Sequence, residues 1–511
     1  MTRTRRIAGS VALGLATQVA TVVVGFWLTR FILDRIGVHD YGVWLVLLQF
    51  LGYLALADLG VVAILPRQAA LLTGGTPGPG ALRSLVGETA RLIVWQWPFV
   101  IALSAAAWLL LPADWDTSRG PLAIMLAVFA IAFPLRLFGA VLQGLQEMVF
   151  LGWVQLATWM ASTIVSVVAL TAGFGLYSLS LAWGVLQLVP PVLCLHRLGT
   201  RYPDLLPRNL PHLGWDAARR HLGSAAWVSL GQLSSILVYG ADLLIIGTLL
   251  GATAVVPYAV TLKLISVVAN APVMLAHASG PGLSQLRAGD SRDSLRRATG
   301  ALTQGLLAMS GGVACVVVAV NQGFVGWWLD AGQYAGTVVT LAATGLMLLR
   351  HYATASAFAL FSFGHERLTA MAGIVEGAVT VVASIVLVRA MGPVGAVFGA
   401  LIAVTLFTLP MILPTLARET GTTVGGVLRI IAPFALRIAI ATATAHVIGS
   451  WFQPTGPFML VAAALLSAAI YTVLMLPVAL RPPLRDYVVQ LVGAIRARIW
   501  PSPPTPSTLG P

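Results

Sequence analysis

Apolar residues dominate the chain in long runs that are separated by charged residues, prolines or glycine clusters. A bilayer core of roughly 30 Å requires about 20 apolar residues per helix. Runs of about this length predict 14 membrane-spanning helices. They cover residues 7–33, 41–65, 85–111, 121–142, 150–170, 176–195, 222–249, 255–275, 301–320, 338–361, 368–388, 394–416, 428–448 and 458–480.

The composition supports a membrane protein. Of the 511 residues, 58% are hydrophobic and 9% are charged, and the mean hydropathy is +0.90. Soluble domains carry roughly 25% charged residues, so this chain has too few charges to cover a surface that faces water. The first apolar run is about twice as long as that of a secretory signal and lacks an A-x-A cleavage site, so we expect a retained helix. The predicted fold class is an all-α polytopic membrane protein.

The basic residues indicate the orientation of these helices. The chain has 30 Lys and Arg against 17 Asp and Glu, a net charge of +13, which in a soluble protein would suggest nucleic-acid binding. With the N-terminus inside, however, 21 basic residues fall in inside segments and only Arg35, Arg119 and Arg389 fall outside. Cytoplasmic loops are enriched in Lys and Arg. We therefore expect both termini in the cytoplasm and no nucleic-acid partner.

The loops suggest how the helices are grouped. The longest predicted loop follows the sixth span, which favours two six-helix halves followed by two additional helices. The predicted segments are an N-lobe (1–196), a cytoplasmic linker (197–221), a C-lobe (222–416), an extra helix pair (417–500) and a disordered tail (501–511). The tail is rich in Pro, Ser and Thr. Transporters often contain such internal repeats, with the substrate site at their interface.

Six basic residues lie inside predicted spans, where a charge costs about 2.5–3.5 kcal/mol on insertion scales: Arg30, Arg91, Arg136, Lys263, Arg350 and Arg437. Arginine binds phosphate groups through paired hydrogen bonds. Arg30, Arg136, Lys263 and Arg350 are candidates to line a cationic cavity for an anionic group such as a diphosphate. The alternative is snorkelling of long side chains to the interface, which we favour for Arg91 and Arg437.

Three acidic residues are also predicted inside the membrane: Asp58, Asp242 and Glu376. Each could neutralise a cavity arginine or bind a coupling proton or sodium ion, and a purely structural ion pair is the alternative. For Glu376 the sequence shows no basic residue within one helical turn, so coupling and plain packing stay equally open.

Several catalytic chemistries are not supported. The only lysine, Lys263, lies inside an apolar helix, so the chain lacks the Gly-Lys-Ser/Thr loop that holds ATP phosphates. No His/Cys cluster predicts a metal site, and we predict no cofactor. Asp114 and Asp116 resemble the Asp-x-Asp motif of sugar-transferring enzymes, but a short polar loop can contain such a pair by chance.

Three segments resemble those of a known family. Gly37-Val-His-Asp-Tyr41-Gly42-Val-Trp44, followed by Gly52-Tyr-Leu-Ala-Leu-Ala-Asp58-Leu-Gly60 and Arg67, resembles the N-terminal signature of bacterial polysaccharide and O-antigen flippases. Val141-Leu-Gln143-Gly144-Leu-Gln146 resembles their fourth helix. Ala241-Asp242-Leu-Leu-Ile-Ile-Gly247, with Leu250-Gly251 and Tyr258, resembles the start of their second half. The resemblance runs from about residue 7 to 416 and indicates the multidrug/oligosaccharidyl-lipid/polysaccharide exporter superfamily.

The resemblance implies two lobes around a central cavity that opens alternately to each side. The implied substrate is a polyprenyl-diphosphate-linked oligosaccharide, moved to the outer leaflet for surface polysaccharide synthesis. Arginines in the first helix of such proteins hold the diphosphate, which points to Arg30. The resemblance points less specifically to Lys263 and Arg350 as further diphosphate ligands. Helices 13 and 14 are more like those of lipid II flippases, in which an extra pair forms a groove for the lipid tail.

The first hypothesis is therefore a flippase without enzymatic activity. Its expected partners are the lipid-linked glycan, membrane lipids, a polysaccharide polymerase and glycosyltransferases. One alternative is a cation-coupled multidrug or metabolite exporter of the same superfamily, which would favour an acidic cavity. The other is a polyprenyl-phosphate-dependent glycosyltransferase centred on Asp114 and Asp116.

Overall fold

The computed structural model describes residues 3–74, 79–109, 118–206, 215–274 and 292–486, together with residues 210, 276, 279, 283, 286 and 489. Within these residues the regular structure is entirely helical, which confirms the predicted all-α fold class. The helices are α1 (Arg3–Leu54), α2 (Val61–Gly74), α3 (Pro79–Leu109), α4 (Arg119–Gly144), α5 (Met148–Thr171), α6 (Leu176–Arg201), α7 (Trp215–Tyr239), α8 (Asp242–Leu250), α9 (Ala252–Val268), α10 (Arg292–Trp328), α11 (Thr337–Ser362), α12 (Glu366–Met391), α13 (Val394–Ala403), α14 (Leu409–Glu419), α15 (Val424–Phe452) and α16 (Pro457–Ala479).

Eleven helical segments in the described part of the chain are long and apolar enough to cross a membrane, or twelve if the bent pair α7–α8 forms one span. Two features account for the difference from the predicted fourteen. The first two predicted spans meet in one helix, α1, which is interrupted only at Gly37 (φ 79°, ψ 172°). The tenth predicted span is α11, which contains Arg350 and His351 and is not among the eleven. The number fourteen is therefore approximate.

The second predicted span, residues 41–65, is not continuous. Its first part belongs to α1, a 3₁₀ turn (Ala55–Asp58) follows, and α2 begins at Val61. Leu59 (φ 49°) and Gly60 (φ 71°) adopt left-handed conformations, which an α-helix cannot contain. The uniform hydrophobicity of this run concealed the break.

The shortest predicted connections are genuine helix ends. Gly173 (φ 84°) and Gly175 (φ 53°) separate α5 from α6, and Gly392 (φ 72°) separates α12 from α13. Glycine adopts a positive φ at little cost. Four residues between α5 and α6, and two between α12 and α13, are therefore enough to end one helix and begin the next.

The contacts divide the chain into two compact units. Unit 1 comprises residues 1–259 and 380–396, and unit 2 comprises residues 260–379 and 397–511. Helices α9, α12 and α13 contribute residues to both units. The predicted segments, with lobes at 1–196 and 222–416, stay a prediction.

In unit 1, the second half of α1 packs closely against α8 and the residues on either side of it. Gly42, Val46 and Gln49 lie on one face of α1 and meet Ala252, Gly247 and Gly240, respectively. A Cβ atom added to Gly42 would lie 2.0 Å from the carbonyl oxygen of Ala252. A Cβ atom added to Gly247 would lie 2.4 Å from Val46. The glycines permit this close approach.

In unit 2, α10 is the central helix and packs against α11, α15 and α16. The hydroxyl of Tyr471 on α16 donates to the carbonyl of Ala308 at 2.5 Å. A Cβ atom on Gly311 would lie 2.6 Å from both Ile438 and Tyr471. The additional C-terminal helices α15 and α16 are thus integral to the core of this unit.

The turn between α4 and α5 is fastened to the end of α6 by Glu147. Its carboxylate accepts hydrogen bonds from Tyr202 Oη at 2.9 Å and Arg197 Nη2 at 3.1 Å, and Arg201 Nη1 lies 3.3 Å away. Burial raises the pKa of Glu147, but these hydrogen bonds and the two arginine charges outweigh burial and hold the pKa below its usual range. Burial and the hydrogen bond to Glu147 raise the pKa of Tyr202.

Replacing Glu147 by Gln is expected to reduce stability by about 1–2 kcal/mol at neutral pH, because charged hydrogen bonds are lost. The folded-state pKa is lowered, so this contribution is present above the unfolded-state pKa and is lost as the pH falls through the folded-state pKa. Thermal unfolding in detergent from pH 7 to pH 3 should therefore show the wild-type and E147Q curves converging. The matched control, Asp204→Asn, changes an exposed carboxylate of the same region and should have little effect at any pH. A gap between E147Q and wild type that persists at pH 3 would contradict the assignment.

Candidate functional site

Unit 1 contains a cavity of about 430 Å³ into which an acidic and a basic candidate residue both face. Asp58 comes from the 3₁₀ turn that interrupts the second predicted span, and Arg136 comes from α4. The opposite wall is α7, which contributes Gln232 and Ser235. The structure thus brings together Asp58 and Arg136, which the sequence had placed on separate spans.

Asp58 is 2% exposed and is held firmly by its neighbours. Its Oδ1 atom accepts the Gly60 amide at 2.9 Å, and its backbone carbonyl accepts Gln96 Nε2 at 3.1 Å. The left-handed Leu59 and Gly60 turn the backbone so that this short contact can form. The broken helix therefore positions the carboxylate.

Two polar groups around Asp58 lack partners among the described residues. Arg136 Nη1 and Gln96 Oε1 are both buried without a hydrogen bond, and no ion pair joins Arg136 to Asp58. Buried polar groups normally find partners, and an unsatisfied one costs about 1–3 kcal/mol. A cavity lined by a guanidinium group with an unpaired nitrogen suits a polar ligand or water.

The other candidates of unit 1 differ in their surroundings. Arg30 lies on α1 with an exposed side chain and forms no ion pair with any described residue. Asp242 is the first residue of α8, where its Oδ1 atom accepts the Leu243 amide and its Oδ2 atom accepts Tyr258 Oη, each at 2.9 Å. Asp242 therefore has structural partners, whereas Arg30 is available to a ligand.

In unit 2, the structure brings Arg350 and Glu376 together. Arg350 Nε on α11 lies 3.3 Å from Glu376 Oε1 on α12, and their side chains are only 14% and 9% exposed, respectively. Glu376 Oε2 accepts Thr408 Oγ1 at 2.9 Å. Thr408 ends a π-helical turn, Val404–Thr408, between α13 and α14. Such turns are frequent at functional sites.

This arrangement changes the interpretation of both residues. The sequence shows no basic residue near Glu376 because the partner lies on another helix, 26 positions away. The positive charge of Arg350 is compensated within the protein, so among the candidate cations it has the weakest claim to a substrate anion. Neighbouring His351 is also buried, and its Nδ1 lies 2.6 Å from Ser310 Oγ.

The remaining candidate of unit 2 is Lys263 on α9. Its side chain is exposed and forms no ion pair with any described residue. Between α9, α10 and α16 lies an apolar groove of about 490 Å³, lined by side chains such as Leu264, Val313 and Val317. We call this the apolar groove.

Some candidates cannot be placed. Asp114 and Asp116 lie outside the described residues. Among the described residues, no group of three His, Cys, Asp or Glu side chains could hold a metal ion. Gln96, Gln232 and Thr408 were missed by the sequence analysis, because uncharged polar residues in a helix give no distinctive signal.

No family model and no curated protein sequence matches the chain. Solved structures do match. The lipid II flippase MurJ, in an inward closed conformation, has a TM-score of 0.62 and 9% identity, covering 92% of this chain and 99% of its own. An inward-facing multidrug resistance MATE family transporter of the MOP superfamily has a TM-score of 0.58 and 12% identity, and the match covers 78% of this chain and 94% of the transporter. A MATE in complex with MaL6 has a TM-score of 0.51 and 14% identity, and the match covers 81% of this chain and 97% of the MATE chain. At these identities the likeness shows the fold alone, which this chain shares with the three structures.

Proposed function

We propose that the protein is a flippase that moves a polyprenyl-diphosphate-linked oligosaccharide across the bacterial cytoplasmic membrane for cell-surface polysaccharide synthesis. The observation that carries this proposal is the surplus of uncompensated positive charge inside the predicted spans. Arg30 and Lys263 are exposed and form no ion pair with the described residues, among which Arg136 also has an unpaired guanidinium nitrogen. Of the three acidic residues, Glu376 is paired and Asp242 is hydrogen-bonded. A diphosphate would supply the negative charge that these cations lack.

The lipid part of the substrate also has a candidate path. The match to the lipid II flippase covers 92% of this chain, whereas the two MATE matches cover 78% and 81%. The C-terminal pair α15–α16 extends unit 2, and α16 forms one wall of the apolar groove. An apolar groove would accept a polyprenyl tail at no desolvation cost.

The proposed mechanism pairs capture of the diphosphate by Arg30, Arg136 and Lys263 with alternating opening of the cavity, while the lipid tail stays in the bilayer. Asp58 and Glu376 are the candidates for cation coupling. Both termini lie in the cytoplasm in this proposal. On the cytoplasmic side the protein would receive substrate from glycosyltransferases. On the outer side it would deliver the substrate to a polymerase.

Replacing Arg30 by Ala is expected to reduce surface polysaccharide at least tenfold in a host that depends on this protein for export. Loss of one charged phosphate contact costs about 1.5–3 kcal/mol, which corresponds to roughly a tenfold to hundredfold effect. Lipid-linked oligosaccharide should accumulate inside the cell, and Arg30→Lys should restore part of the export. The matched control is Arg35→Ala, on the same helix, where the guanidinium stacks on Phe31 at 4.9 Å. Intact export in R30A would overturn cationic capture.

The second candidate function is a cation-coupled multidrug or metabolite exporter. It is favoured by the buried carboxylate of Asp58 in a cavity beside Gln232, and by the likeness to the MATE family transporter. In this case Asp58→Asn would abolish drug resistance in a host without its own efflux pumps, whereas R30A would retain it. The flippase proposal predicts no drug resistance from the wild-type protein.

A further inference from the structure

A second cavity lies within unit 2, and its lining includes neither Arg350 nor any residue that lines the apolar groove. It measures about 370 Å³ and lies between the last turns of α10, the turn Ala331–Gln333, the start of α11 and the end of α15. We call it the polar cavity. The positive-inside pattern assigns this end of the helices to the outside of the cell. Its volume is within the usual range of about 300–1,000 Å³ for small-ligand sites.

The walls of the polar cavity combine polar groups with apolar side chains such as Val318 and Leu341. Among the described residues that line it, Gln322, Tyr334, His446 and Gln453 carry hydroxyl, amide and imidazole groups, and none is Lys, Arg, Asp or Glu. These groups both donate and accept hydrogen bonds. Such walls do not suit an anion, which would lack a countercharge, or a hydrocarbon tail, which would leave the polar groups unpaired.

One aromatic side chain completes the lining. Trp327 lines the polar cavity and is 45% exposed, so its indole is accessible to a ligand. Tryptophan provides a large flat apolar surface together with one N–H donor. A flat indole beside groups that both donate and accept hydrogen bonds matches a sugar ring, which has apolar C–H faces and a rim of hydroxyls.

The polar cavity is held by a rigid frame. Asn321 Nδ2 donates to the Thr261 carbonyl and to Thr340 Oγ1, each at 3.0 Å, and Thr340 Oγ1 lies 2.8 Å from Tyr334 Oη. Helices α10 and α15 approach so closely that a Cβ atom on Gly449 would lie 2.6 Å from the Ala319 carbonyl. These contacts fix the walls before any ligand arrives, which reduces the entropic cost of binding.

From these observations we propose that the polar cavity binds a neutral saccharide. This inference deepens the proposed function, on which it rests, because the saccharide would be the glycan head of the transported lipid on the outer side. The diphosphate, the lipid tail and the glycan would then contact chemically different surfaces. The contrast with the apolar groove in the same unit, which is lined largely by aliphatic side chains, supports this division.

The test uses the full-length protein in lipid nanodiscs and three neutral probes: cellobiose, lactose and N,N′-diacetylchitobiose. Saturation-transfer difference NMR should detect binding of at least one probe. Combining Trp327→Ala with Gln322→Ala should weaken that binding at least about tenfold, since an aromatic contact and a hydrogen bond are lost together. Glucose 1-phosphate, an anionic probe, should bind no better than glucose.

The matched control is Trp451→Ala. Trp451 lies at the end of α15, is 84% exposed and does not line the polar cavity. Binding in W451A should equal that of wild type, and a loss equal to that of the double variant would overturn the proposal. Absence of binding of all three probes to the wild-type protein would overturn it as well, while leaving the flippase function intact. Saccharide binding together with normal export in R30A would instead overturn cationic capture and leave the saccharide site standing.

Discussion

Replacing Arg350 by Met is expected to destabilise the protein by about 3–5 kcal/mol, the range measured when one partner of a buried ion pair is removed. The Glu376 carboxylate would remain almost fully buried, with Thr408 Oγ1 as its described hydrogen-bond donor. Methionine is similar in length to arginine and fills the space without restoring the charge. The measurement is equilibrium unfolding of purified protein in mixed micelles.

A second substitution separates this effect from general damage to the core. Adding Glu376→Gln to Arg350→Met removes the unpaired charge and should recover most of the lost stability. The control is Arg437→Met, because Arg437 Nη1 donates to the Pro433 carbonyl of its own helix at 3.1 Å, and its loss should cost less than about 1 kcal/mol. If the double variant is as unstable as Arg350→Met alone, the ion pair is not what Arg350 contributes.

Replacing Gly42 by Ala is expected to destabilise the protein by about 3 kcal/mol, the upper end of overpacking effects. The added methyl group would lie 2.0 Å from the carbonyl oxygen of Ala252. The obstacle is backbone, so no side-chain rotation can relieve the overlap. The second half of α1 would have to move away from α8. This movement would weaken the contacts of Val46 with Gly247 and of Gln49 with Gly240.

Gly52→Ala is the matched control, because Gly52 lies on the same half of α1 and a Cβ atom there would have no heavy atom within 4 Å. Alanine is the better helix former by about 0.5–1 kcal/mol. The same substitution ten positions apart should therefore have opposite signs in equilibrium unfolding. Equal effects of the two substitutions would mean that the close approach at Gly42 is not required.

Much of the fold follows from the sequence, and the exceptions have a common cause. Runs of apolar residues predict helices reliably, because in a bilayer the backbone must satisfy its own hydrogen bonds. Hydrophobicity does not report backbone direction, however, so the break at Leu59–Gly60 was hidden within a predicted span, whereas the break at Gly37 falls in the charged connection between the first two predicted spans. The short connection at 173–175 was predicted correctly because two glycines interrupt the apolar run there.

The sequence identified the residues of the candidate site, but it did not show which of them contact one another. Intramembrane charges are rare and therefore conspicuous, which is why Asp58, Arg136, Arg350 and Glu376 could be singled out. Their pairing depends on helix packing, which the linear sequence does not give. Arg350 was a candidate for substrate binding, and the structure places it against Glu376. The role of each candidate in transport stays a prediction.

The π-helical turn at Val404–Thr408 also changes how residues 394–419 should be compared with related sequences. A π turn contains one more residue than an α turn, and one residue corresponds to about 100° of rotation around the helix axis. The helical phase therefore shifts between α13 and α14. A relative that lacks one residue here would still align well on either side of the gap. It would nevertheless direct a different side chain toward the position of Glu376, so a single insertion or deletion could separate subgroups that differ in this buried ion pair.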